Sequence, residues 1–577
     1  MGLTENGSPT FLSSGNPCLD FFFHVVPDTP PETLSQRLQL AWEHDPLKTL
    51  KLVCNLRAVK GTGKSDKEGG YTAALWLHEN HPKTLAGNVD SFAGFGYSKD
   101  LLEVLFRLLE GPDARKAAQE AKKDHEIWKL RNKRKCKGER IIARRGYYGR
   151  RLKSQENEPR LSRKEKRIQR AKNVIEKFNS DPDFKFLHDR VSDYFAQRLR
   201  SDMEMMNSGD LFKISLAAKW CPTLGSSYDT FTLLCETIAK KVFPRDEYPE
   251  YEGVEEAHYA YRVRDRLRKQ VLVPLRKTLE LPEVYMGAND WGSIPYNRVA
   301  SVAMKIHKGK FYKHDEERFN EYLEKVKKGE AKIAAGALLP HQIIASLEEE
   351  DDDSGQVAEL QWKRMVDDMA KKGKLNNCLA ICDVSGSMDG IPMEVSVALG
   401  ILVSELSEEP WKGKLITFSK NPQLQTAGGD SLKEKTEFVR RMKWGMNTDF
   451  QKVFDLLLQV AVNGKLKPEQ MIKRLFVFSD MEFDEASQNP WETDYKAIVR
   501  KFKKKGYGDC VPEIVFWNLR DSRATPVPAN QPGVALVSGY SKNLMTMFLE
   551  EGGIVSPEAV MDAAISGQDY QKLVVFD

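Results

Sequence analysis

From residue 376 onward the chain alternates short, continuous apolar runs with stretches of helical periodicity, and this alternation restricts the possible folds. Predicted buried strands begin at positions 378, 415, 475 and 513, the last with a glutamate before its apolar residues, and helical periodicity covers 393–406, 432–442, 450–462, 494–505 and 542–550. A short continuous apolar run is typical of a strand that is buried on both faces of a sheet. Strands that alternate with helices favour a parallel sheet covered by helices. We therefore predict a doubly wound α/β domain over 376–577.

Oxygen-bearing side chains follow three of these predicted elements. Asp383, Ser385 and Ser387 come directly after the first apolar run, Thr448 precedes a predicted helix, and Asp480 ends the third run. Because an open parallel sheet presents its ligand crevice at the carboxyl ends of its strands, we expect the five side chains to meet there. Carboxylate and hydroxyl oxygens are ligands that hard divalent cations prefer. The sequence therefore predicts a site for Mg²⁺ or Mn²⁺.

The order of these residues resembles the metal-ion-dependent adhesion site of the von Willebrand factor A family. The family pattern is D-x-S-x-S, then T, then D; Asp383, Ser385 and Ser387 match the first part, Thr448 the second and Asp480 the third. The resemblance covers about 376–577. It implies that the protein leaves the metal with an incomplete set of ligands, which the carboxylate of an acidic protein partner completes. A degenerate domain that keeps the loop but binds no metal is the alternative.

Two patterns would indicate an enzyme if their surroundings supported them. The loop Asp383-Val-Ser-Gly-Ser is not G-x-S-x-G, and 376–577 contains no histidine that could act as a base for a serine nucleophile. The stretch from Ala58 to Ser65, Ala-Val-Lys-Gly-Thr-Gly-Lys-Ser, fits a permissive P-loop pattern and would indicate a nucleotide-binding enzyme. A P-loop follows a buried strand, whereas the preceding residues 49–56 have helical spacing. We expect a non-enzymatic binding or scaffold protein.

The first 345 residues are predicted to be mostly helical. Repeated apolar spacing over 1–110 and again over 176–345, without a strict sequence repeat, favours a HEAT-like α-solenoid. A basic insertion separates these two parts at 111–175, where we expect exposed helix or partial disorder. A charged linker with an acidic run at its start is predicted over 346–375.

Part of the helical region resembles the TROVE module of the Ro ribonucleoprotein family. The resemblance lies in the segment Leu52-Val-Cys-Asn-Leu-Arg57-Ala-Val-Lys60-Gly-Thr-Gly-Lys64-Ser-Asp. That module is a ring of helical repeats joined to a von Willebrand A-like domain, and it binds small structured and misfolded RNAs. The resemblance therefore implies a small structured RNA as a partner, with Arg57, Lys60 and Lys64 as candidate contacts. The basic insertion departs from the Ro pattern.

A second resemblance spans nearly the whole chain. The opening Ser-Gly-Asn-Pro-Cys18-Leu-Asp-Phe-Phe-Phe and the Gly-, Pro- and aromatic-rich segment 285–301 look like a largely plant family of uncharacterised proteins. That family has the same two-part layout of helical region and von Willebrand A-like domain.

The basic insertion is the second candidate RNA-binding region. Between Arg115 and Lys172 the chain has 23 Lys and Arg against 7 Asp and Glu, so this block carries +16 and the remainder of the +5 chain carries −11. Phosphates attract lysine and arginine, and unpaired bases stack on aromatic rings. A nuclear-localisation signal and a simply solvated basic surface are the alternatives. The candidate RNA contacts in the block are Lys133, Arg134, Lys135, Arg144, Arg145, Tyr147, Tyr148, Arg150 and Arg151.

The apolar runs, the N-terminal sequence and the cysteines indicate the cellular compartment of the protein. No apolar run approaches the ~20 residues needed to cross a bilayer, and the N-terminus has no pattern of a secretory signal. The eight cysteines are scattered and form no C-x-x-C pair, which favours reduced thiols in the cytoplasm or nucleus. Two functions remain open: an RNA-associated scaffold that docks a protein through its metal, or a protein–protein adaptor with no RNA role.

Overall fold

The computed structural model describes residues 1–136, 162–348, 354–417, 422–442, 449–484, 493–549 and 553–577. The chain divides into two compact units. One, here called the α/β unit, comprises Met1–Ala73, Gly94–Gly96 and Glu280–Val575; the other, the helical unit, comprises Ala74–Ala93, Tyr97–Leu279 and Phe576–Asp577. Among the described residues, no helix is both long enough and apolar enough to cross a membrane.

All described strands lie in the α/β unit. Numbered along the chain, they are β1 (Gly2–Leu3), β2 (Pro9–Thr10), β3 (Cys378–Cys382), β4 (Lys414–Thr417), β5 (Leu424–Thr426), β6 (Arg474–Ser479), β7 (Glu513–Asn518) and β8 (Val534–Ser538). Strands β3 to β8 form one sheet in the order β5-β4-β3-β6-β7-β8, parallel except for the edge strand β5. Every residue of β3, β6 and β8 is buried. The predicted α/β architecture with a mainly parallel sheet is therefore confirmed.

The order in which the chain adds strands to the sheet reverses between β3 and β6. From β3 the chain passes outward to β4, and it later returns to place β6 on the other side of β3, followed outward by β7 and β8. Cys382 at the end of β3 pairs in register with Phe478 in β6. The connections that leave these two strands run to opposite sides, so a crevice opens at their carboxyl ends.

The α-helices cover the sheet and build the helical unit. Their bounds are Pro17–His24, Pro31–His44, Pro46–Arg57, Lys67–Asn80, Pro82–Gly87, Val89–Phe95, Ser98–Glu110, Ala114–Cys136, Arg163–Ser180, Pro182–Ser208, Ala217–Trp220, Ser227–Thr232, Leu234–Val242, Glu256–Arg266, Val273–Thr278, Pro282–Gly287, Ser301–Lys328, Pro340–Ala345, Ser354–Ala370, Ile391–Leu406, Leu432–Arg441, Phe450–Gly464, Asp494–Lys504 and Pro557–Ala564. A π-helical stretch, Leu267–Leu272, joins two of them.

One helix fixes the position of the central strands. Ile391–Leu406 is buried on nearly all sides and packs against β3, β4 and β6. A Cβ atom at Gly400 would lie 2.1 Å from the sulfur of Cys382, so only glycine allows this close approach. This packing holds the end of β3, where the candidate site begins.

The N-terminal residues belong to the α/β unit. Helix Pro17–His24 packs against β8 together with helix Pro557–Ala564, and the backbone of Phe11 forms a bridge with Thr525. The local periodicity predicts a helical repeat region over 1–110, whereas the structure groups residues 1–73 with the sheet. Contacts between residues about 500 positions apart leave no trace in a local periodicity.

The helical unit is built around the helix Pro182–Ser208. This helix packs against Leu234–Val242, Pro82–Gly87 and Ser98–Glu110. Its buried face has the helical spacing that the sequence predicts, so a helical region is confirmed. The buried apolar residues of that face include Phe184, Leu187, Val191, Phe195 and Leu199.

The predicted linker over 346–375 contains a packed element. Helix Ser354–Ala370 lies against helix Ser301–Lys328, with Trp362 and Met365 buried. Its apolar residues follow an acidic run whose residues 349–353 lie outside the described part of the chain.

Candidate metal centre

Asp383 is held rigidly at the carboxyl end of β3. Its backbone N–H donates to the carbonyl of Phe478 at 2.9 Å, which extends the pairing of β3 with β6 by one residue. Its carboxylate accepts hydrogen bonds from the backbone N–H of Ser385 at 3.0 Å and from the Ser479 hydroxyl at 2.6 Å. The side chain is completely buried, so its oxygens are fixed in place before any ligand arrives.

The two serines after β3 place their hydroxyls side by side. Their oxygens are 3.0 Å apart across the short helical turn Gly386–Met388. Ser385 is buried and Ser387 is exposed, so the loop leads from the buried Asp383 carboxylate to the surface. The predicted neutral ligands therefore lie at the open side of the crevice.

Asp480 directly follows β6 and lies on the other side of the crevice. It is buried, and its Oδ1 accepts a hydrogen bond from the backbone N–H of Glu482 at 3.1 Å. The residue between them, Met481, has a φ of 66°, a left-handed conformation that turns the chain sharply after the strand. This turn keeps the Asp480 carboxylate at the carboxyl ends of the central strands.

Ser479 connects the two carboxylates, and no sequence motif indicated it. Its hydroxyl lies 2.6 Å from Oδ2 of Asp383 and 3.4 Å from Oδ1 of Asp480. The hydroxyl has one proton, so the shorter contact to Asp383 takes most of its donation. The signal that could have found Ser479 is the sheet register, which places the last residue of β6 beside the residue that follows β3.

The electrostatics of the Asp383 and Asp480 carboxylates suit a divalent cation. Burial, followed by the nearby Asp480 carboxylate, raises the pKa of Asp383 to about 7, against the opposing effect of hydrogen bonds from Ser479 and Ser385. Two buried carboxylates that share a hydroxyl repel each other when both are ionised. A dication bound between them would remove that repulsion. The candidate side chains offer it only carboxylate and hydroxyl oxygens, which hard cations prefer. The residues present therefore fit Mg²⁺ or Mn²⁺.

Two further observations delimit the candidate site. Thr448, the fifth predicted ligand, lies outside the described residues, in the gap 443–448. Within the described ranges no group of three or more His, Cys, Asp or Glu side chains is placed to hold a metal ion. The candidate site accordingly depends on two carboxylates together with hydroxyl groups.

The N-terminal segment supports the loop after Asp480. The Thr4 hydroxyl donates to the carbonyl of Phe483 at 2.6 Å, and the Asn6 amide donates to the carbonyl of Glu482 at 2.6 Å. The backbone N–H of Glu5 donates to the Glu482 carboxylate at 2.7 Å. Sequence reasoning did not detect this support, because the partners are separated by more than 470 residues.

An arginine also reaches the candidate site from the end of β7. The guanidinium of Arg520 donates to the backbone carbonyl of Ser387, in the loop after β3. The same side chain lies 3.6 Å from the carboxylate of Asp28. A positive charge therefore borders the exposed side of the two serines.

The three RNA candidates in the Ro-like segment differ in exposure. Lys60 is exposed, whereas Arg57 is only 7% exposed at the end of its helix. Lys64 is buried, and its ammonium donates to Ser538 Oγ at 2.8 Å, to the carbonyl of Val25 at 3.4 Å and to the carbonyl of Phe22. The hydrogen-bonding capacity of Lys64 is therefore used inside the α/β unit, away from any surface that RNA could reach.

The same turn does not have the surroundings of a P-loop. It follows the helix Pro46–Arg57, whereas a P-loop follows a strand and turns its backbone N–H groups toward phosphates. The N–H groups of Lys64, Ser65 and Asp66 instead donate to carbonyls of residues 55, 58 and 56. These N–H groups are already used within the turn.

The basic insertion is described only at its two ends. Lys133, Arg134 and Lys135 belong to helix Ala114–Cys136, but their side chains lie outside the described part of the structure. Helix Arg163–Ser180 begins after a capping box formed by Ser162 and Glu165. The remaining candidates lie outside the described residues: Arg144, Arg145, Tyr147, Tyr148, Arg150 and Arg151.

Known proteins that align with nearly the whole chain include a viral protein and a bacterial Ro protein. The uncharacterized protein L728 of Acanthamoeba polyphaga mimivirus is 27% identical over 568 residues, which cover 94% of this chain and 84% of L728. The resemblance to a plant family stays a prediction. The crystal structure of the Ro (RSR) protein of Deinococcus radiodurans aligns with 96% of this chain and 99% of its own, at 12% identity. Its TM-score of 0.31 is too low to establish a shared fold.

Two family models divide the chain between them. One, described as a domain of unknown function (DUF2828), matches residues 4–375, and the other, also a domain of unknown function (DUF7788), matches residues 377–573. Because the first model alone covers more than half of the 577 residues, the chain belongs to the DUF2828 family.

Proposed function

We propose that this chain is a non-enzymatic binding protein that docks an acidic protein partner through Mg²⁺ or Mn²⁺ at a von Willebrand A-like domain. One observation carries the proposal: Asp383 and Asp480, from strands on the two sides of the sheet's switch point, both contact the hydroxyl of Ser479. The cation would be held by Asp383, Ser385, Ser387, Thr448 and Asp480.

The donor set explains why a partner would be needed. Two carboxylates balance the charge of a dication, and serine or threonine hydroxyls add neutral oxygens without further charge. A hard cation of this size takes about six oxygen ligands, so water or a partner must supply the rest. Since Ser387 lies on the exposed side of the loop, a carboxylate from another protein can approach from solvent.

Capture of partners in the presence and absence of metal tests this function. Full-length protein immobilised in Mg²⁺ should retain acidic proteins that EDTA releases, and Asp383→Asn should fail to retain them. Asp389→Asn is the matched control, because Asp389 is exposed on the same loop and its carboxylate accepts only from the adjacent Gly390 among the described contacts. Retention that is equal in Mg²⁺ and EDTA would exclude metal-dependent docking.

RNA association is a second candidate function, and helix Ala114–Cys136 is the observation that favours it. This helix has nine Lys and Arg against three Asp and Glu, and residues 119–128 are exposed. Trp128 is 53% exposed and stacks on His125, with ring centres 5.7 Å apart. Exposed cationic and aromatic side chains on one helix suit a nucleic-acid backbone and unpaired bases. An adaptor without an RNA role, in which the basic block localises the protein, is the alternative.

The proposed setting is the cytoplasm or nucleus. The seven cysteines whose side chains the structure describes are free thiols. Such thiols are typical of proteins in reducing compartments.

A further inference from the structure

Arg520 is the cationic side chain that borders the loop after β3. Its backbone N–H donates to the Asn518 side chain at 3.2 Å, which fixes the turn that follows β7. From there the guanidinium reaches the carbonyl of Ser387. Arg520 thus joins the ends of β7 and β3 across the crevice.

The guanidinium keeps donors available in this position. It has five N–H donors, and the Ser387 carbonyl accepts from Nη1. The pairing with Asp28 is loose, because 3.6 Å is longer than the 2.7–3.2 Å of an ordinary N–H···O hydrogen bond. The side chain is 40% exposed, so solvent and a ligand can both reach it.

We propose that Arg520 is a second anchor for the acidic partner, donating to the same carboxylate that completes the metal. Asp28 is its intramolecular counter-ion, which competes with the ligand carboxylate for the guanidinium. This inference rests on the proposed metal-dependent docking and specifies how the partner is recognised.

The chemistry of a carboxylate supports a two-point contact. A carboxylate that binds a cation through one oxygen has a second oxygen that can still accept hydrogen bonds. Arginine has five N–H donors, so one can stay on the Ser387 carbonyl while another donates to that second oxygen. A partner aspartate or glutamate would therefore be held on one side by the metal and on the other by Arg520.

The test uses the full-length protein and a fluorescein-labelled hexa-aspartate peptide, with binding followed by fluorescence anisotropy in Mg²⁺ and in EDTA. Arg520→Gln should weaken peptide binding in Mg²⁺ by roughly tenfold or more. The control, Arg523→Gln, removes the same charge from an exposed arginine of the same loop and should change binding by less than about twofold. Asp28→Asn should strengthen binding a few-fold, because it removes the competing carboxylate.

Calorimetry separates this inference from the function on which it rests. Mg²⁺ affinity should be the same in wild type and Arg520→Gln, since Arg520 contacts the ligand and not the cation. Equal peptide affinity in Arg520→Gln and Arg523→Gln would overturn the role of Arg520 and leave metal-dependent docking intact. Wild-type peptide binding that is unchanged by EDTA would overturn the docking function itself.

A conservative variant keeps the proposal testable if Arg520→Gln fails to fold. If circular dichroism shows that Arg520→Gln is unfolded, Arg520→Lys keeps the charge but removes the planar pair of donors. Its peptide affinity should fall between those of wild type and the Asp383→Asn variant, and an affinity equal to wild type would contradict the two-point contact.

Discussion

Single residues decide how well the candidate site is organised before it binds anything. Ser479 and Asp383 are brought together by the register of β3 and β6, and the hydroxyl fixes one carboxylate while touching the other. The sequence motif identified the ligand residues, because their types and order carry the chemistry. It could not identify Ser479, Arg520 or Asp28, since their roles depend on which strands are neighbours.

Buried Lys64 gives a prediction at the same scale. Burial lowers its pKa to about 7, so between pH 7 and its unfolded value near 10.5 the unfolded chain binds more protons than the folded one. Stability should therefore rise with pH across this window, by at most about 1.4 kcal/mol per pH unit.

Urea unfolding at pH 7 and pH 9 measures this effect. Lys64→Met should flatten the rise, while Lys60→Met, which changes an exposed lysine four residues earlier, should keep it. A rise that persists unchanged in Lys64→Met would show that Lys64 is not the group responsible.

At the level of strands and helices, the central strands could be predicted from their continuous apolar runs, whereas the edge strand β5 could not. The four predicted runs form β3, β4, β6 and β7, because continuous apolar residues are needed wherever a strand is covered on both faces. Strand β5 has only three residues and none of them is buried, so no apolar run marks it. Strand β8 does have an apolar run, Val534-Ala-Leu-Val537, between Pro532-Gly533 and Gly539, but our prediction did not include it. The predicted helix over 542–550 is a 3₁₀ helix, Lys542–Phe548.

The contact of the N-terminal segment with the loop after Asp480 carries an element-scale prediction. Thr4→Val removes the hydroxyl that donates to Phe483 and accepts from the Ser8 N–H, at nearly constant volume. We expect a decrease of about 1–3 kcal/mol in unfolding free energy and a several-fold weaker Mg²⁺ affinity, because the Asp480 turn is less well supported.

Calorimetry and urea unfolding of Thr4→Val check both effects, with Thr426→Val as the control on the exposed edge of β5. If Thr4→Val binds Mg²⁺ as tightly as the control, the N-terminal segment has no role in organising the metal centre.

At the scale of the whole molecule, the two proposed activities belong to different compact units. The described residues of the candidate metal centre belong to the α/β unit, whereas helix Ala114–Cys136 belongs to the helical unit. A helical region and an α/β domain could be predicted from their different periodicities. That residues 1–73 join the sheet could not, because this grouping arises from contacts between distant parts of the chain.

Salt dependence of RNA binding tests the function assigned to the helical unit. Reversing two exposed charges, with Lys122→Glu and Lys123→Glu together, should weaken binding of single-stranded RNA. It should also reduce the slope of log K against log salt by about 1.4, or ~0.7 for each phosphate that is no longer neutralised. The control pair, Lys327→Glu and Lys328→Glu, makes the same change at exposed lysines of the α/β unit. RNA binding with an unchanged slope in the first pair would remove this helix from the interface.

The function proposed for the whole molecule depends on a divalent cation held by Asp383 and Asp480, and calorimetric titration of Mg²⁺ into the full-length protein measures that binding. We expect one Mg²⁺ per chain in wild type and in Asp389→Asn, and no binding in Asp383→Asn. Equal Mg²⁺ affinity in wild type and Asp383→Asn would contradict the proposed metal centre, because the cation would then be bound elsewhere.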